Sequence, residues 1–132
     1  MKRRERGRLG EAAAERVLRR AGLVILARNW RAAGGELDRV ALDGETVVFV
    51  EVKSRADAVA APYAGRAAVS TRQRWRIERA ARAFRRRYGV TQHAHRFDVI
   101  TVQGDPPASG DVRWMRSAFG PPATEAQARR DR

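Results

Sequence analysis

Gly35-Glu36-Leu37-Asp38-Arg39-Val40-Ala41-Leu42, Asp43-Gly44-Glu45 and Thr46-Val47-Val48-Phe49-Val50-Glu51-Val52-Lys53 read in sequence as a strand, a turn and a second strand. Side chains alternate between the faces of a strand, so Val47, Phe49, Glu51 and Lys53 share one face and Val48, Val50 and Val52 the other. The valine face is core. By the same rule Glu36, Asp38, Val40 and Leu42 lie together on the preceding strand. A two-residue turn at Asp43-Gly44 pairs Asp38 with Phe49, whereas one at Gly44-Glu45 pairs Asp38 with Glu51. Both registers aim Asp38 and Glu51 at one side of the sheet, with Cβ atoms ~5 Å apart if opposed and ~7 Å on the diagonal. A three-residue loop would break this parity.

Two carboxylates held so close repel one another, and half-burying them raises their proton affinity unless a cation compensates. Oxygen ligands from Asp and Glu, without Cys or His, favour Mg²⁺ or Mn²⁺ over zinc. Lys53, one pleat beyond Glu51, is placed to orient or help deprotonate a water, or to offset charge growing on a phosphorane-like transition state. These are the parts needed for phosphodiester hydrolysis. The competing reading is an ordinary hairpin with a solvated charged face and a weak Glu51–Lys53 pair. Phe49 and Val47 on that face, and charges clustered at the end of an apolar strand, argue instead for a covered surface with a site at its mouth.

Outward from the hairpin, helical spacing predicts a first helix over about Leu9–Ala21, with Glu11 at the margin of its apolar face and Gly22 ending it. A strand follows from Val24 to Trp30. The Ala- and Gly-rich stretch between Arg55 and Val69 reads as a long loop beside the candidate site. Ser70 or Thr71 is placed to cap a second helix ending near Tyr88-Gly89, with Ile77, Ala80, Ala81, Phe84 and Tyr88 as its core stripe. Arg72, Arg79, Arg82 and Arg86 fall on the opposite face, with Trp75 on the same basic side. Arg96–Val102 makes a fourth strand and Val112–Met115 a short fifth. The expected architecture is α/β, a single domain over residues 1–119 with a mixed, mainly four-stranded sheet flanked by helices in the order αβββαβ. Residues 120–132, rich in Pro, Ala and charge, are expected to be a disordered tail.

The chain has 132 residues, a net charge of +13 and no cysteine, which removes disulfides, thiolate metal sites and thiol nucleophiles. The N-terminus is charged and leads into an amphipathic stretch carrying Glu11 and Glu15, not the apolar run of a secretory signal, and no segment has the length of a membrane span. A cytoplasmic protein without a membrane partner is the expectation. Such a positive charge suits a polyanion, nucleic acid above all. Yet all but Lys2 and Lys53 of the 28 basic residues are arginine, a skew that coding bias also produces. Against that background a lysine within a strand indicates a need for a compact ammonium.

The elements Gly10-Glu11, Gly35-Glu36-Leu37-Asp38, Phe49-Val50-Glu51-Val52-Lys53-Ser54-Arg55, Arg96-Phe97-Asp98-Val99 and Ala118-Phe119 resemble the YraN family of uncharacterised bacterial proteins. That family is similar to the archaeal Holliday-junction resolvases within the PD-(D/E)XK nuclease superfamily, and the match spans about residues 7–119. The resemblance implies a restriction-endonuclease-like core and metal-dependent endonuclease activity on structured or branched DNA, with RNA less favoured. It implies that Asp38, Glu51 and the Val52 carbonyl hold Mg²⁺ or Mn²⁺, that Lys53 serves the attacking water, and that Glu11 reaches in from the first helix. It places Gln73 facing the site, and puts Arg72 where the family often has Lys. Arg55, Arg72, Gln73, Trp75 and Arg79 are the candidate substrate contacts. Paired cuts at a junction would require a two-fold homodimer. The alternative is a module that binds nucleic acid without cutting it.

Other features carry less. His93 and His95 alternate as two ligands on one strand face would, but lack a third ligand and read as edge residues. Neither a hydrolytic triad nor a phosphate-binding loop has its residues here. Trp75 suits stacking on an unpaired base, or packing beneath Arg stems or a partner. Asp98 reads as a structural anchor for Arg96.

Overall fold

Period-two strands on either side of a Gly turn produce a central hairpin, and two amphipathic helices cover it. The computed structural model describes residues 1–55, 69–104 and 111–120. It runs α1 (Arg3–Arg20), β1 (Val24–Ala32), β2 (Gly35–Asp43), β3 (Thr46–Arg55), α2 (Thr71–Arg87), β4 (His95–Gln103) and β5 (Asp111–Phe119). Strands lie in chain order, antiparallel except for β3 and β4, whose parallel pairing α2 makes possible by carrying the chain back across the sheet.

The expected α/β architecture is present, with two differences in extent. β5 is a full strand of nine residues rather than four, so the sheet has five strands. Only Ala118 and Phe119 of β5 are buried, which leaves little hydrophobic periodicity to announce the rest. α1 begins at Arg3 rather than Leu9, because its first turns are polar and the buried face starts only at Gly10. The long loop expected after Arg55 falls largely on residues 56–68, and the tail on 121–132, both outside the described residues. Among those described, no helix is long and apolar enough to cross a membrane.

Each helix builds a core on its own side of the sheet. Ala13, Ala14 and Leu18 of α1 pack on Val48, Val50, Ile100 and Val102, the valine face of β3 and its continuation on β4. Ile77, Ala80, Ala81 and Phe84 of α2 pack on Val40, Val47, Phe49, Phe97 and Val99. Val47 and Phe49 are each only 1% exposed, so this part of the β3 face is covered by α2 rather than solvated. Tyr88, expected in the core stripe, is exposed at the helix end, with its ring against Trp30 and Phe84.

Two glycines let the helices come close. A Cβ on Gly10 would lie 2.7 Å from the Ser54 side chain, and one on Gly35 would collide with the Arg76 carbonyl of α2. Ser70 caps α2 reciprocally with Gln73: the Ser70 hydroxyl accepts from the Gln73 N–H and the Gln73 side chain accepts from the Ser70 N–H, both at 3.2 Å.

Asp98 is the anchor that its sequence setting indicated. It is fully buried and accepts from Arg96 Nε at 3.1 Å, Trp114 Nε1 at 2.9 Å and the Ser117 N–H at 2.9 Å. Arg96 also reaches Asp43 at 2.9 Å, tying β4 to the β2–β3 turn. At the far side of the sheet, β1 is an edge strand without a buried residue. Its ladder is interrupted by a bulge between Ile25 and Ala27, and by Asn29 in left-handed conformation at φ 46°.

Candidate functional site

The turn is the Gly44-Glu45 one, flanked by the Asp43–Thr46 pair and with Gly44 at φ 61°. Pairing runs regularly from there to Arg39–Val50, so Asp38 and Glu51 are the next residues along. Here the two strands part. The Val52 N–H donates at 2.8 Å to the Asp38 carboxylate. Leu37 and Val40 both join the α2-side core, although strict alternation would oppose them, so the strand twists across Asp38-Arg39.

This opening divides two hollows. The wider, about 580 Å³, is walled by Gly35 and Glu36 of β2 and by Gln73, Arg76 and Ile77 of α2. The smaller, about 220 Å³, lies toward α1 and is lined by Arg3, Arg6, Glu11, Lys53 and Ser54. Asp38 and Glu51 border both.

The electrostatics are those of an acid pair short of positive charge. Burial first, and then the neighbouring Glu51 charge, push the Asp38 carboxyl up to about 8 against the lowering effect of the Val52 N–H. Glu51 is raised as well, chiefly by burial, with Lys53 pulling the other way. The Lys53 ammonium stands 3.5 Å from the Glu51 carboxylate. Glu11 is raised by partial burial and by Asp38, against the lowering effect of Asn29 and Arg39.

Of the residues singled out in sequence, Glu11, Asp38, Glu51, Val52, Lys53 and Gln73 come together around this opening. The Glu11 carboxylate, however, is turned toward Asn29, which donates to it at 3.1 Å, and toward Arg39 at 3.9 Å. Among the described residues no three His, Asp or Glu side chains converge closely enough to hold an ion by themselves. The donors on offer at this opening are the Asp38 and Glu51 carboxylates, with Glu11 lining the same hollow. All are hard oxygens, which fits Mg²⁺ or Mn²⁺, and the raised proton affinity marks a deficit of positive charge that a divalent ion would fill. Arg55 ends β3 in solvent, and Arg72, Trp75 and Arg79 lie on the outer face of α2, away from the cleft walls. His93 and His95 take no part: His93 meets the Glu45 carbonyl at 3.2 Å, and His95 packs against Phe49 and Phe97, its pKa lowered to about 4 by burial.

Sequence reasoning missed a second layer. Arg39 is only 6% exposed and donates to Glu15 at 2.9 Å, to Asn29 at 3.4 Å and to the Asp38 carbonyl at 2.7 Å. Asn29 in turn bridges Glu11 and Glu36, at 3.1 and 3.2 Å. The signal was available: Arg39 must point to the α1 face by parity, and Glu11 and Glu15 stand one turn apart on the helix above. The cleft arginines Arg3, Arg6, Arg31 and Arg76 were also missed.

The model of the uncharacterised protein family UPF0102 matches residues 10–102. A UPF0102 protein of Pseudomonas syringae pv. syringae is 39% identical over 119 residues, covering 89% of this chain and 94% of that one. One from Pseudomonas putida is 40% identical over 115 residues, covering 86% and 91%. One from Solibacter usitatus is 42% identical over 115 residues, covering 86% and 84%. The matched span includes Glu11, Asp38, Glu51 and Lys53, and the chain belongs to the UPF0102 family, the YraN group that its motifs resemble.

Proposed function

We propose that this protein is a metal-dependent endonuclease that hydrolyses phosphodiester bonds in structured or branched DNA, RNA being the less favoured substrate. The observation that carries the reading is the Asp38–Glu51 pair, half-buried side by side with raised proton affinities at the mouth of an open polar cleft. Structural carboxylates are not left in that condition, because burial without compensation costs stability.

Asp38, Glu51 and the Val52 carbonyl would hold Mg²⁺ or Mn²⁺, with Glu11 joining from α1. Bound there, the ion supplies Lewis acidity toward a phosphoryl oxygen and lowers the pKa of water. The chain's own groups do the rest. Lys53, 3.5 Å from Glu51, donates a hydrogen bond to the attacking water and offsets charge gathering on the phosphate. Arg3 and Arg6 on one side, and Arg31 and Arg76 on the other, are placed to seat the flanking phosphates. Gln73 is held at the cleft wall by its cap on α2, where it can donate to substrate without a rotamer search. Paired cutting would use a two-fold dimer.

The test is cleavage of labelled duplex, four-way junction and single-stranded DNA in Mg²⁺ or Mn²⁺ by wild type, Asp38→Asn and Lys53→Ala proteins. The expected result is metal-dependent cutting that falls ~10²–10³-fold in either variant while binding persists. Wild type that binds these substrates as tightly as the variants and cuts none of them would leave a nucleic-acid-binding module that does not cleave.

A further inference from the structure

One surface of the molecule is not used by the cleft. α2 carries eight arginines against a single acid, Glu78. Arg74 and Arg85 turn back onto the Val69 and Thr91 carbonyls. By contrast Arg72, Arg76, Arg79, Arg82 and Arg86 are exposed, and among the described residues none of them pairs with a carboxylate. At ~100° per residue these five fall within one sector of the helix, which spans roughly 20 Å from Arg72 to Arg86 at ~1.5 Å per residue. Coding bias accounts for arginine in place of lysine; it does not account for five exposed cations gathered in one sector of a helix with no ion pair among the described residues.

Trp75 lies in the same sector. It is 57% exposed, and the Arg79 guanidinium stands over its ring at 4.6 Å. One ring face is therefore covered by a cation. An aromatic left half-exposed and pre-oriented in this way is the element that sequence-tolerant single-strand binders use to stack an unpaired base. Bases within a duplex are already stacked on each other and are not available to it. The stripe also joins the cleft, because Arg76 belongs to both: it lines the hollow that Asp38 and Glu51 border.

We infer that the outer face of α2 is a track for a single-stranded segment of nucleic acid, with Arg72, Arg79 and Arg86 on its phosphates and an unpaired base stacked on Trp75, leading out of the cleft past Arg76. The inference rests on the nuclease reading and narrows its substrate class to duplex carrying an unpaired arm. A protein partner or a second copy of the chain would be a poor match, since a face with five uncompensated cations and one aromatic repels its own like and offers little apolar area.

The experiment is binding, measured by fluorescence anisotropy in chelator so that no metal chemistry enters, of fluorescein-labelled blunt duplex, the same duplex with splayed single-stranded arms, and the splayed duplex with ribose arms. Wild type is expected to prefer the splayed substrates roughly tenfold, with deoxyribose and ribose arms separating the two sources of the same unpaired-base chemistry. Trp75→Ala should lower affinity for splayed DNA about tenfold more than for blunt duplex, Trp75→Phe should restore most of it, and Arg79→Ala should reduce the salt slope by roughly one. Equal binding of blunt and splayed DNA by wild type, or an unchanged preference in Trp75→Ala, overturns the track. So does a Trp75→Ala protein that changes sedimentation state in the absence of DNA, which would assign the patch to a self-interface. Cleavage is scored separately: preference without cutting keeps the track and removes the chemistry, whereas cutting without preference does the reverse.

Discussion

Two acids of this sheet live under opposite conditions. Asp98, on β4, collects a guanidinium, an indole N–H and a main-chain N–H around a carboxylate that solvent does not reach. Asp38, two strands away, receives one main-chain N–H and faces a second acid, and its carboxyl is pushed up to about 8. Glu15 sides with Asp98: hydrogen bonds from Arg28, Arg19 and Arg39 hold it down at about 2. Arginine thus neutralises both of these acids. The pair it leaves wanting is the one that borders open hollows. The contrast separates carboxylates that build the protein from the pair that the proposed function assigns to a metal ion.

The comparison can be broken at either end. The largest effect is expected from Asp98→Ala, which strands Arg96, Trp114 and Ser117 without their acceptor and should cost ~3–5 kcal/mol in urea unfolding. A loss below ~1 kcal/mol would mean that the anchor holds nothing. The opposite sign is expected at the other end: Asp38→Asn in metal-free protein should gain ~2 kcal/mol at pH 8. Here the folded pKa lies above the unfolded one, so the folded state keeps an extra proton from about pH 4 upward. The stability this confers is complete below that point and is lost as pH rises to about 8. Chemical unfolding at a series of pH values should show the variant's advantage growing across that window, and a flat difference would sink the assignment.

Smaller effects sharpen it. Gly10→Ala should destabilise by ~1–2 kcal/mol, despite alanine's better helix propensity, because the new methyl drives α1 off Ser54 beside Lys53. Thermal melts will read this, and the same variant should weaken metal binding measured by calorimetry if the helix sets the position of Glu11. The smallest effect is that of Glu15→Gln, ~1 kcal/mol at pH 7. Its folded pKa of about 2 lies below the ordinary value of 4.5, so the wild-type advantage is present above that value and should vanish as pH falls toward 2.

How much of this could be read from residues alone follows from the range of the interactions. The convergence of Asp38 and Glu51 was legible because a two-residue turn and a period of two fix it without reference to the rest of the chain. The choice between two Gly-containing turns was not, since Gly44 satisfies either one. The αβββαβ order came from hydrophobic spacing, and the polar starts of α1 and β5 escaped for the same reason. The side of the sheet that Arg39 faces was legible by parity, but its bonds to Glu15 and Asn29, and the second and third donors to Asp98, join residues 10 to 24 positions apart in sequence, where only the assembled sheet brings them together. The resemblance pointed to Glu11 as part of the acid cluster, but not to the Asn29 amide that holds its carboxylate.

The broken ladder of β1 carries a consequence for the protein in a crowded cell. Among the described residues no strand pairs with the outer side of β1, and a nine-residue edge displaying Val24 and Leu26, 58% and 45% exposed, would ordinarily template the addition of another strand. The extra residue at Leu26 and the left-handed Asn29 divide its row of unpaired amides into pieces too short and too twisted to nucleate a cross-β stack. Straightening that edge, by deleting Leu26 or placing a β-branched residue at 29, would turn an interrupted rim into a seed for aggregation.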